Sequence, residues 1–251
     1  MKRPILGVAA AAVAALAVAA PAVAADHTQS LVFGATLLDQ PKGQPWAVNL
    51  NVDATLGTTD GSLAAPLHHV RLQFPAGAKV NASQFKTCEP KTVAASLSCP
   101  KASKLGTGLA QVDARPLVSS LLPAKLALFN GKGTASKRSL FLTASTEDSG
   151  IEVNLVLPGT LARIGGRYSY QFDLDIPEIV AVSGAPPVAI NSFNVNVGGR
   201  VKKKGKRLSY IDAPTKCPSG GWPFTGTFTF GDGALPTLSS HLDCTLKTVS
   251  G

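Results

Sequence analysis

The stretch from Cys88 to Gly108 constrains the fold more strongly than any other part of this sequence. Cys88 and Cys99 lie close together, each has a proline within the next two residues, and Gly106-Thr107-Gly108 then begins a new apolar segment. Proline fixes its own backbone dihedral φ, and glycine allows conformations that other residues avoid. The stretch therefore predicts a short loop, closed by two cysteines, that leads directly into a β-strand.

The cysteines predict two disulfides and an oxidising compartment. The chain contains Cys88, Cys99, Cys217 and Cys244, and four cysteines allow three pairings. We favour the two local pairs, Cys88–Cys99 and Cys217–Cys244, because each closes a compact unit with its own turn residues. A structural zinc site is the alternative, but the tight Cys-x-x-Cys spacing of such sites does not occur here. Disulfides of this kind persist in exported proteins.

The N-terminus predicts that the chain is exported. Two basic residues precede an apolar run from Ile5 to Ala20, and Pro21 and small residues follow it. We expect residues 1–25 to be a secretory signal peptide that is cleaved between Ala25 and Asp26. A membrane anchor is the alternative, for which the apolar run is short. No later stretch is long and apolar enough to span a bilayer, so we expect a secreted, extracellular protein.

Short apolar segments separated by glycine and proline indicate β-strands. The clearest alternation runs from Pro45 to Leu56, where apolar side chains occupy every second position and polar ones lie between them. A period of two with one polar side is typical of a strand that covers a core with one face. Tyr168 to Ile176 repeats this pattern. The segments 124–129 and 139–144 predict a hairpin around Asn130-Gly131-Lys132-Gly133.

These strands predict an all-β fold, a two-sheet antiparallel β-sandwich with two local disulfides. A jelly-roll-like connectivity is one form that such a sandwich takes. No segment sustains a helical period over three turns, although residues 82–85 and 92–97 fit short helices. We expect residues 26–251 to form a single β-sandwich domain because no low-complexity linker divides them.

Two blocks of this sequence resemble a group of exported, β-rich actinobacterial proteins. Residues 74–108 have the pattern Phe-Pro-x-Gly-x-Lys-x-Asn, then a cysteine, then Cys-Pro-x-x-Ser-x-x-Gly-x-Gly. Residues 217–244 begin with Cys-Pro-Ser-Gly-Gly-Trp-Pro-Phe and close with a cysteine. The group has no assigned activity. The resemblance therefore implies secretion, β structure and local disulfides, and it implies no catalytic residue.

The strongest charge feature is a basic segment in the last third of the chain. The formal net charge is +9, and this segment contributes Arg200, Lys202, Lys203, Lys204, Lys206 and Arg207. Such a cluster can bind an anionic cell-wall polymer or an acidic glycan. The alternative is a soluble hairpin whose lysines discourage edge-to-edge pairing of strands. Because no stacking aromatics are interleaved with these charges, we expect no specific nucleic-acid partner.

The histidines give weak support for metal binding or catalysis. His68 and His69 are adjacent on a predicted strand, so they point to opposite faces and cannot share one metal ion. His241 with Asp243 and a distant serine is the arrangement that a Ser-His-Asp hydrolase would need. No Gly-x-Ser-x-Gly motif accompanies it.

The paired carboxylates Asp173 and Asp175 share one face of a predicted strand. Carboxylates in such pairs serve glycosidases or hold calcium. A solvated polar strand face explains them better, because the tyrosines of this strand point the other way. We therefore expect no cofactor, no metal site and no catalytic residue.

Together these features favour a secreted or cell-wall-associated structural or binding protein without catalytic activity. The alternative is a secreted glycan-binding or glycan-active protein, similar to a glycoside hydrolase, because β-sandwiches often have those functions. A concave sheet face lined by Trp46 or Trp222, with convergent carboxylates, would favour the alternative.

Overall fold

The computed structural model describes residues 26–38, 46–148, 150–203, 205–244 and 248–249, and the predicted signal peptide lies outside this part. The described residues form an all-β fold in which one strand pair is parallel and the others are antiparallel. The strands are β1 (His27–Leu38), β2 (Ala47–Thr58), β3 (Leu67–Pro75), β4 (Lys79–Val80), β5 (Lys104–Asp113), β6 (Leu122–Gly133), β7 (Lys137–Asp148), β8 (Ile151–Arg163), β9 (Tyr168–Asp175), β10 (Ala189–Val197), β11 (Arg200–Lys203), β12 (Lys206–Ser209), β13 (Ile211–Asp212), β14 (Trp222–Phe230), β15 (Gly233–Ala234), β16 (Leu238–Leu242) and β17 (Thr248–Val249).

Most of these strands belong to one large sheet. Its order is β15-β14-β3-β9-β8-β7-β6-β5-β10-β2-β1-β17, while β11 and β12 form a separate two-stranded hairpin. The predicted all-β fold with two local disulfides is confirmed. The finer expectation of jelly-roll-like connectivity does not describe the centre of the sheet. Strands β5 to β9 neighbour one another in sequence order and so form a meander.

The two ends of the large sheet approach each other, so its inner face surrounds the core. β16 pairs with β14 near one end of the strand order and packs beside β1 near the other. Phe193 of β10 and Phe228 of β14 meet edge to face across the core, with ring centroids 6.2 Å apart. The two layers of this sandwich-like fold are therefore parts of one sheet that folds back on itself.

The alternating sequence of β2 produces its inward face. Its buried apolar side chains are Val48, Leu50, Val52, Ala54 and Leu56. Burying an aliphatic side chain of this size stabilises the folded state by roughly 1.5–3 kcal/mol. The polar positions between them face outward, where Asn51 donates hydrogen bonds to the side chains of Asn194 and Asn196 on β10.

The predicted hairpin between residues 124–129 and 139–144 is confirmed by the pairing of β6 with β7, but the turn predicted at Asn130 and Gly131 is wrong. Both residues lie inside β6, and the chain reverses further on, between Gly133 and Lys137. Asn130 is fully buried, and its amide donates hydrogen bonds to the carbonyl oxygens of Ala82 and Lys86. A tertiary contact thus replaces the local turn chemistry that Asn-Gly normally favours.

Helical structure lies where the sequence suggested it. The one α-helix of the described part is α1 (Pro90–Ser96), and short 3₁₀ segments occupy Ala82–Gln84 and Lys101–Ser103. Proline at the first position of α1 is compatible with helix initiation because it has no N–H to satisfy. Leu97 ends the helix in the left-handed conformation, with φ of 51°.

Candidate functional site

Both predicted disulfides are confirmed, and the first of them fastens α1 to the outside of the sheet. Cys88 and Cys99 are joined with a Cα–Cα distance of 5.6 Å, and Cys217 and Cys244 with 5.8 Å. Buried Cys88 and Val93 pack against two phenylalanines on the outer face of β6 and β7, Phe129 and Phe141. The Cys88–Cys99 loop therefore braces the outside of the sheet and lies away from the interior.

The interior of the sheet contains an apolar cavity of about 220 Å³. Its lining comes from strands all around the sheet, and nearly all of the lining atoms are apolar. For comparison, an engineered apolar cavity of about 150 Å³ stays dry and binds benzene or xenon. A space of this size and chemistry can hold an apolar ligand.

Small side chains on the inward faces of the central strands create this space. Ala110 of β5, Ala124 of β6 and Ala144 of β7 line the cavity at positions where alternation would also permit leucine or valine. Empty apolar space is costly, since native interiors pack as densely as organic crystals. The sequence signal for the cavity was this row of inward alanines, and sequence reasoning missed it.

One end of the cavity carries a buried phenol without a hydrogen-bond partner. Tyr210 follows β12 and lines the cavity, and it is only 2 % exposed. Its ring contacts Phe85 edge to face, but no hydrogen-bond partner of its hydroxyl lies within the described residues. Burial raises the pKa of Tyr210, and the nearby positive charge of Arg138 offsets this only in part. The hydroxyl is therefore a neutral donor at neutral pH.

Arg138 lies on the inward face of β7, two residues before the cavity-lining Leu140. The residue is 8 % exposed, and its guanidinium donates hydrogen bonds to the carbonyl oxygens of Gly131 and Gly133. Within the described residues no carboxylate lies within 4.0 Å of it. A buried cation without a counter-ion is costly, so an anion near it is strongly stabilised.

Asp212 is the buried carboxylate closest in sequence to Tyr210, and its oxygens are already engaged. Asn81 donates a hydrogen bond of 2.8 Å to one oxygen, and the Ser209 hydroxyl donates to the other. Asp212 also pairs with Lys79 through the short β4–β13 ladder. These contacts fix the segment that presents Tyr210 to the cavity.

A second pocket adjoins this end of the cavity. Its lining includes two basic residues, Lys79 and Arg163, together with Ala78, Val80 and Tyr170. The last three residues line the apolar cavity as well. The second pocket is therefore a candidate entrance, and positive charge lines it.

The predicted basic segment forms the β11–β12 hairpin at the same end of the sheet. Lys202, Lys203 and Arg207 are exposed, and the Lys203 ammonium donates a hydrogen bond of 3.1 Å to Gln84. Arg200 is partly buried at the base of the hairpin, and Lys204 and the Lys206 side chain lie outside the described part. The register places Lys202 opposite Arg207, so like charges face each other across the hairpin.

Basic residues collect at this end of the sheet, which we call the basic end. They lie in the turns after β3, β6, β8 and β10, in the segment before β5, and in the loop before β14. These residues are Lys79, Lys86, Lys91, Lys101, Lys104, Lys132, Lys137, Arg138, Arg163, Arg167, Arg200, Lys202, Lys203, Arg207 and Lys216. The described acidic residues of the basic end are Glu89, which pairs with Lys132, and Asp212 and Asp243.

Acidic residues collect at the opposite end. These residues are Asp26, Asp60, Asp113, Glu147, Glu152, Asp175, Glu178 and Asp232. Among the described residues of this end, Arg115 is basic, and its guanidinium forms an ion pair of 2.6 Å with Asp113. The molecule is thus polarised along its strands, and such a field orients approaching anions toward the basic end.

His68 and His69 contact different carboxylates. His69 contacts Asp175 at 2.8 Å and Asp173 at 3.2 Å, while His68 lies 3.6 Å from Glu178. Asp173 also accepts hydrogen bonds from Arg71 and Gln171. Desolvation would raise the pKa of Asp173, but these hydrogen bonds outweigh it and lower that pKa. The carboxylates belong to a paired, outward-facing network.

The other candidates for chemistry are not brought together by the fold. His241 on β16 contacts the Arg167 guanidinium at 3.3 Å. The described residues contain no group of three or more His, Cys, Asp and Glu that could hold a metal ion. Trp222 is 5 % exposed in the core and donates a hydrogen bond to the Lys216 carbonyl, while Trp46 is half-exposed.

Comparisons with protein-family models, curated proteins and solved structures gave no match. Among the described residues, no helix is both long and apolar enough to cross a membrane. The two disulfides are compatible with an extracellular location.

Proposed function

We propose that this protein is a secreted, non-catalytic binding protein that holds an apolar ligand in its internal cavity. The observation that supports this is the cavity of about 220 Å³ with an almost entirely apolar lining. A protein selected for stability alone gains by filling such a space, because dispersion contacts are lost around a void. Retaining inward alanines at Ala110, Ala124 and Ala144 is consistent with a need for the space.

A neutral naphthylamine fluorophore tests this function. We expect saturable enhancement of its emission by the native protein. Ala124→Leu and Ala144→Leu should weaken binding at least about tenfold, because they fill the cavity from two strands. Lys125→Leu is the matched control, since it adds the same side chain to the outer face of β6 and should leave binding unchanged.

Absence of saturable binding by the native protein would overturn the proposal, and so would equal binding by the cavity-filled variants. Circular dichroism and thermal melting of each variant separate loss of binding from loss of folding. Native mass spectrometry before and after solvent extraction gives an independent reading, because a co-purified apolar ligand would appear as a removable mass.

Secretion and the site of cleavage also belong to this proposal. The disulfides and the N-terminal sequence support export, with residues 1–25 removed. The mass of the protein recovered from the culture medium should then correspond to a chain that begins at Asp26. Recovery of the chain with residues 1–25 still attached to cells would contradict this.

The basic end supports a second part of the proposal, contact with an anionic cell-wall polymer. We expect retention on phosphocellulose that falls as salt rises, because phosphate contacts release counterions. Lys202→Glu should reduce retention more than Lys125→Glu, although both change the net charge equally. Equal effects of the two substitutions would show that net charge alone governs retention. They would contradict the proposal that the basic end is the polymer-binding surface.

The glycan-binding alternative has less support. A concave sheet face lined by Trp46 or Trp222 was the feature that would have favoured it. Trp222 packs in the core, whereas Trp46 is 48 % exposed and remains available for such a face. The outward carboxylates Asp173 and Asp175 are engaged by His69 and Arg71. A glycan screen that found specific binding would bring this alternative back.

A further inference from the structure

Polar side chains line both ends of the cavity. Tyr210 and Asp212 lie at the basic end, and Ser145 and Thr146 lie at the opposite end. The buried positive charge of Arg138 lies near the first of these ends. Tyr210 packs there with Leu140 and Leu161 in one buried cluster. Along β7, the inward face changes from Arg138 through Leu140, Leu142 and Ala144 to Thr146. With a rise of about 3.3 Å per residue, the apolar stretch from Leu140 to Ala144 extends over roughly 13 Å. The site therefore fits an elongated ligand with one charged end.

The hydrogen-bonding capacity at this end is incomplete without a ligand. The Tyr210 hydroxyl is buried and lacks a partner within the described residues, and the Arg138 guanidinium bonds only to carbonyl oxygens. A buried donor without an acceptor is costly, and a charged acceptor makes the strongest bonds with such donors. Asp212 does not fill this role for Tyr210, because Asn81 and Ser209 engage it.

We propose that Arg138 and Tyr210 hold the carboxylate of a medium-chain carboxylic acid whose hydrocarbon chain occupies the apolar cavity. This inference rests on the proposed function and names the ligand class of the same site. The Tyr210 hydroxyl donates one hydrogen bond to the carboxylate, and Arg138 supplies a neighbouring positive charge. The adjoining pocket, with Lys79 and Arg163, provides an electropositive entrance through which the chain enters first.

The direction of entry follows from the distribution of charge. Acidic residues surround the opposite end, including Glu147, Glu152 and Asp175. A carboxylate is repelled there and attracted to the basic end, so the head group remains where the ligand entered. Thr146, whose hydroxyl is buried without a partner in the described part, lies at the far end and does not offer a positive charge.

A matched pair of ligands tests the assignment. Decanoic acid and decane have the same chain length, and each is measured by displacement of the naphthylamine fluorophore from the full protein. We expect the native protein to prefer the acid. Tyr210→Phe should weaken decanoic acid binding at least about tenfold, because a hydrogen bond to a charged group is lost. Its affinity for decane should change less than about twofold, since the aromatic ring remains.

Tyr210→Phe also has an expected effect on the empty protein. Removing an unpaired buried hydroxyl relieves a desolvation cost, so the melting temperature of the ligand-free variant should equal or exceed that of the native protein. Arg138→Gln should weaken the acid and spare decane. Arg138 also donates hydrogen bonds to Gly131 and Gly133 beside the β6–β7 turn, so Arg138→Gln is informative only if the variant folds. Tyr210→Phe tests the inference independently of Arg138→Gln.

The outcomes separate this inference from the proposed function. If neither ligand displaces the fluorophore and the native protein binds no fluorophore, both proposals fail. If decane binds and the acid binds no better, the inference fails and the apolar binding function stands. If Tyr210→Phe weakens both ligands equally, Tyr210 acts only in packing, and the inference is overturned.

Discussion

Phe33 of β1 and Phe224 of β14 stack with ring centroids 4.5 Å apart and an interplanar angle of 19°, although their strands lie near opposite ends of the sheet order. Phe74 of β3 meets both rings edge to face. This contact joins the two ends of the sheet and keeps its inner face closed around the core. This closure allows the curved sheet to enclose the cavity.

Phe33→Ala should therefore destabilise the fold strongly. Phe33 is 4 % exposed, and truncating a buried phenylalanine costs about 3–5 kcal/mol in the free energy of unfolding. Urea denaturation followed by tryptophan fluorescence measures the change. Val32→Ala is the matched control, because Val32 is 60 % exposed and a surface truncation should stay within about 0.5 kcal/mol. Equal effects would refute a closing role for the phenylalanine stack.

The two disulfides should stabilise the fold by different amounts. They close loops with sequence separations of 11 and 27 residues. In the chain-entropy view the longer loop is restricted more, giving about 3 kcal/mol for the first and about 3.5 kcal/mol for the second. Paired Cys→Ser variants of each bridge, compared by denaturation under oxidising conditions, measure this. A larger loss for Cys88/Cys99 would show that packing of α1, and not loop entropy, dominates.

Much of the fold was predictable because it depends on local patterns. The alternation of residues 45–56 correctly predicted the inward face of β2, and local spacing correctly predicted both disulfides. The turn of the β6–β7 hairpin was wrongly predicted at Asn130-Gly131, because the Asn130 side chain donates hydrogen bonds to the distant carbonyl oxygens of Ala82 and Lys86. A single sequence does not reveal such a contact, since it depends on which segment covers the outside of β6.

The candidate site was less predictable because a cavity is the absence of side-chain volume. The inward alanines of β5, β6 and β7 read as ordinary small residues until the strands are placed around one interior. The sequence did not indicate that Tyr210 lines a cavity, because a lone tyrosine beside a basic segment suggests a position on the surface. The basic segment was recognised, but its position beside the cavity follows only from the strand order.

The ion pair between Asp113 and Arg115 should make stability depend on pH. The hydrogen bond from the Arg115 side chain is the main cause that lowers the pKa of Asp113 below its ordinary value of 3.8, although desolvation opposes it. A carboxyl with a lowered pKa in the folded state stabilises the fold above pH 3.8. That contribution disappears as the pH falls through the folded-state pKa.

Arg115→Gln should therefore lower the free energy of unfolding at pH 7, and its difference from the native protein should shrink at pH 3. Urea denaturation at both pH values measures this. Lys125→Gln serves as the control, since Lys125 is exposed and has no ion pair in the described part, and its effect should be small at both pH values. A difference for Arg115→Gln that persists unchanged at pH 3 would contradict the role of Asp113.

Gly108 allows β5 and β10 to approach each other, and its replacement should disturb the wall of the cavity. A Cβ at Gly108 would overlap the carbonyl oxygen of Asn194 on β10, and Gly106 stands in the same relation to Asn196. Gly108→Ala should therefore cost about 1–3 kcal/mol in the free energy of unfolding, because backbone has to move. Gly165→Ala is the control, since a Cβ there has open space, and it should stay within about 0.5 kcal/mol. Chemical denaturation compares the two, and fluorophore binding by Gly108→Ala shows whether a shifted β5 also changes the cavity. A neutral Gly108→Ala would mean that the strands separate readily, which a tightly closed sheet does not allow.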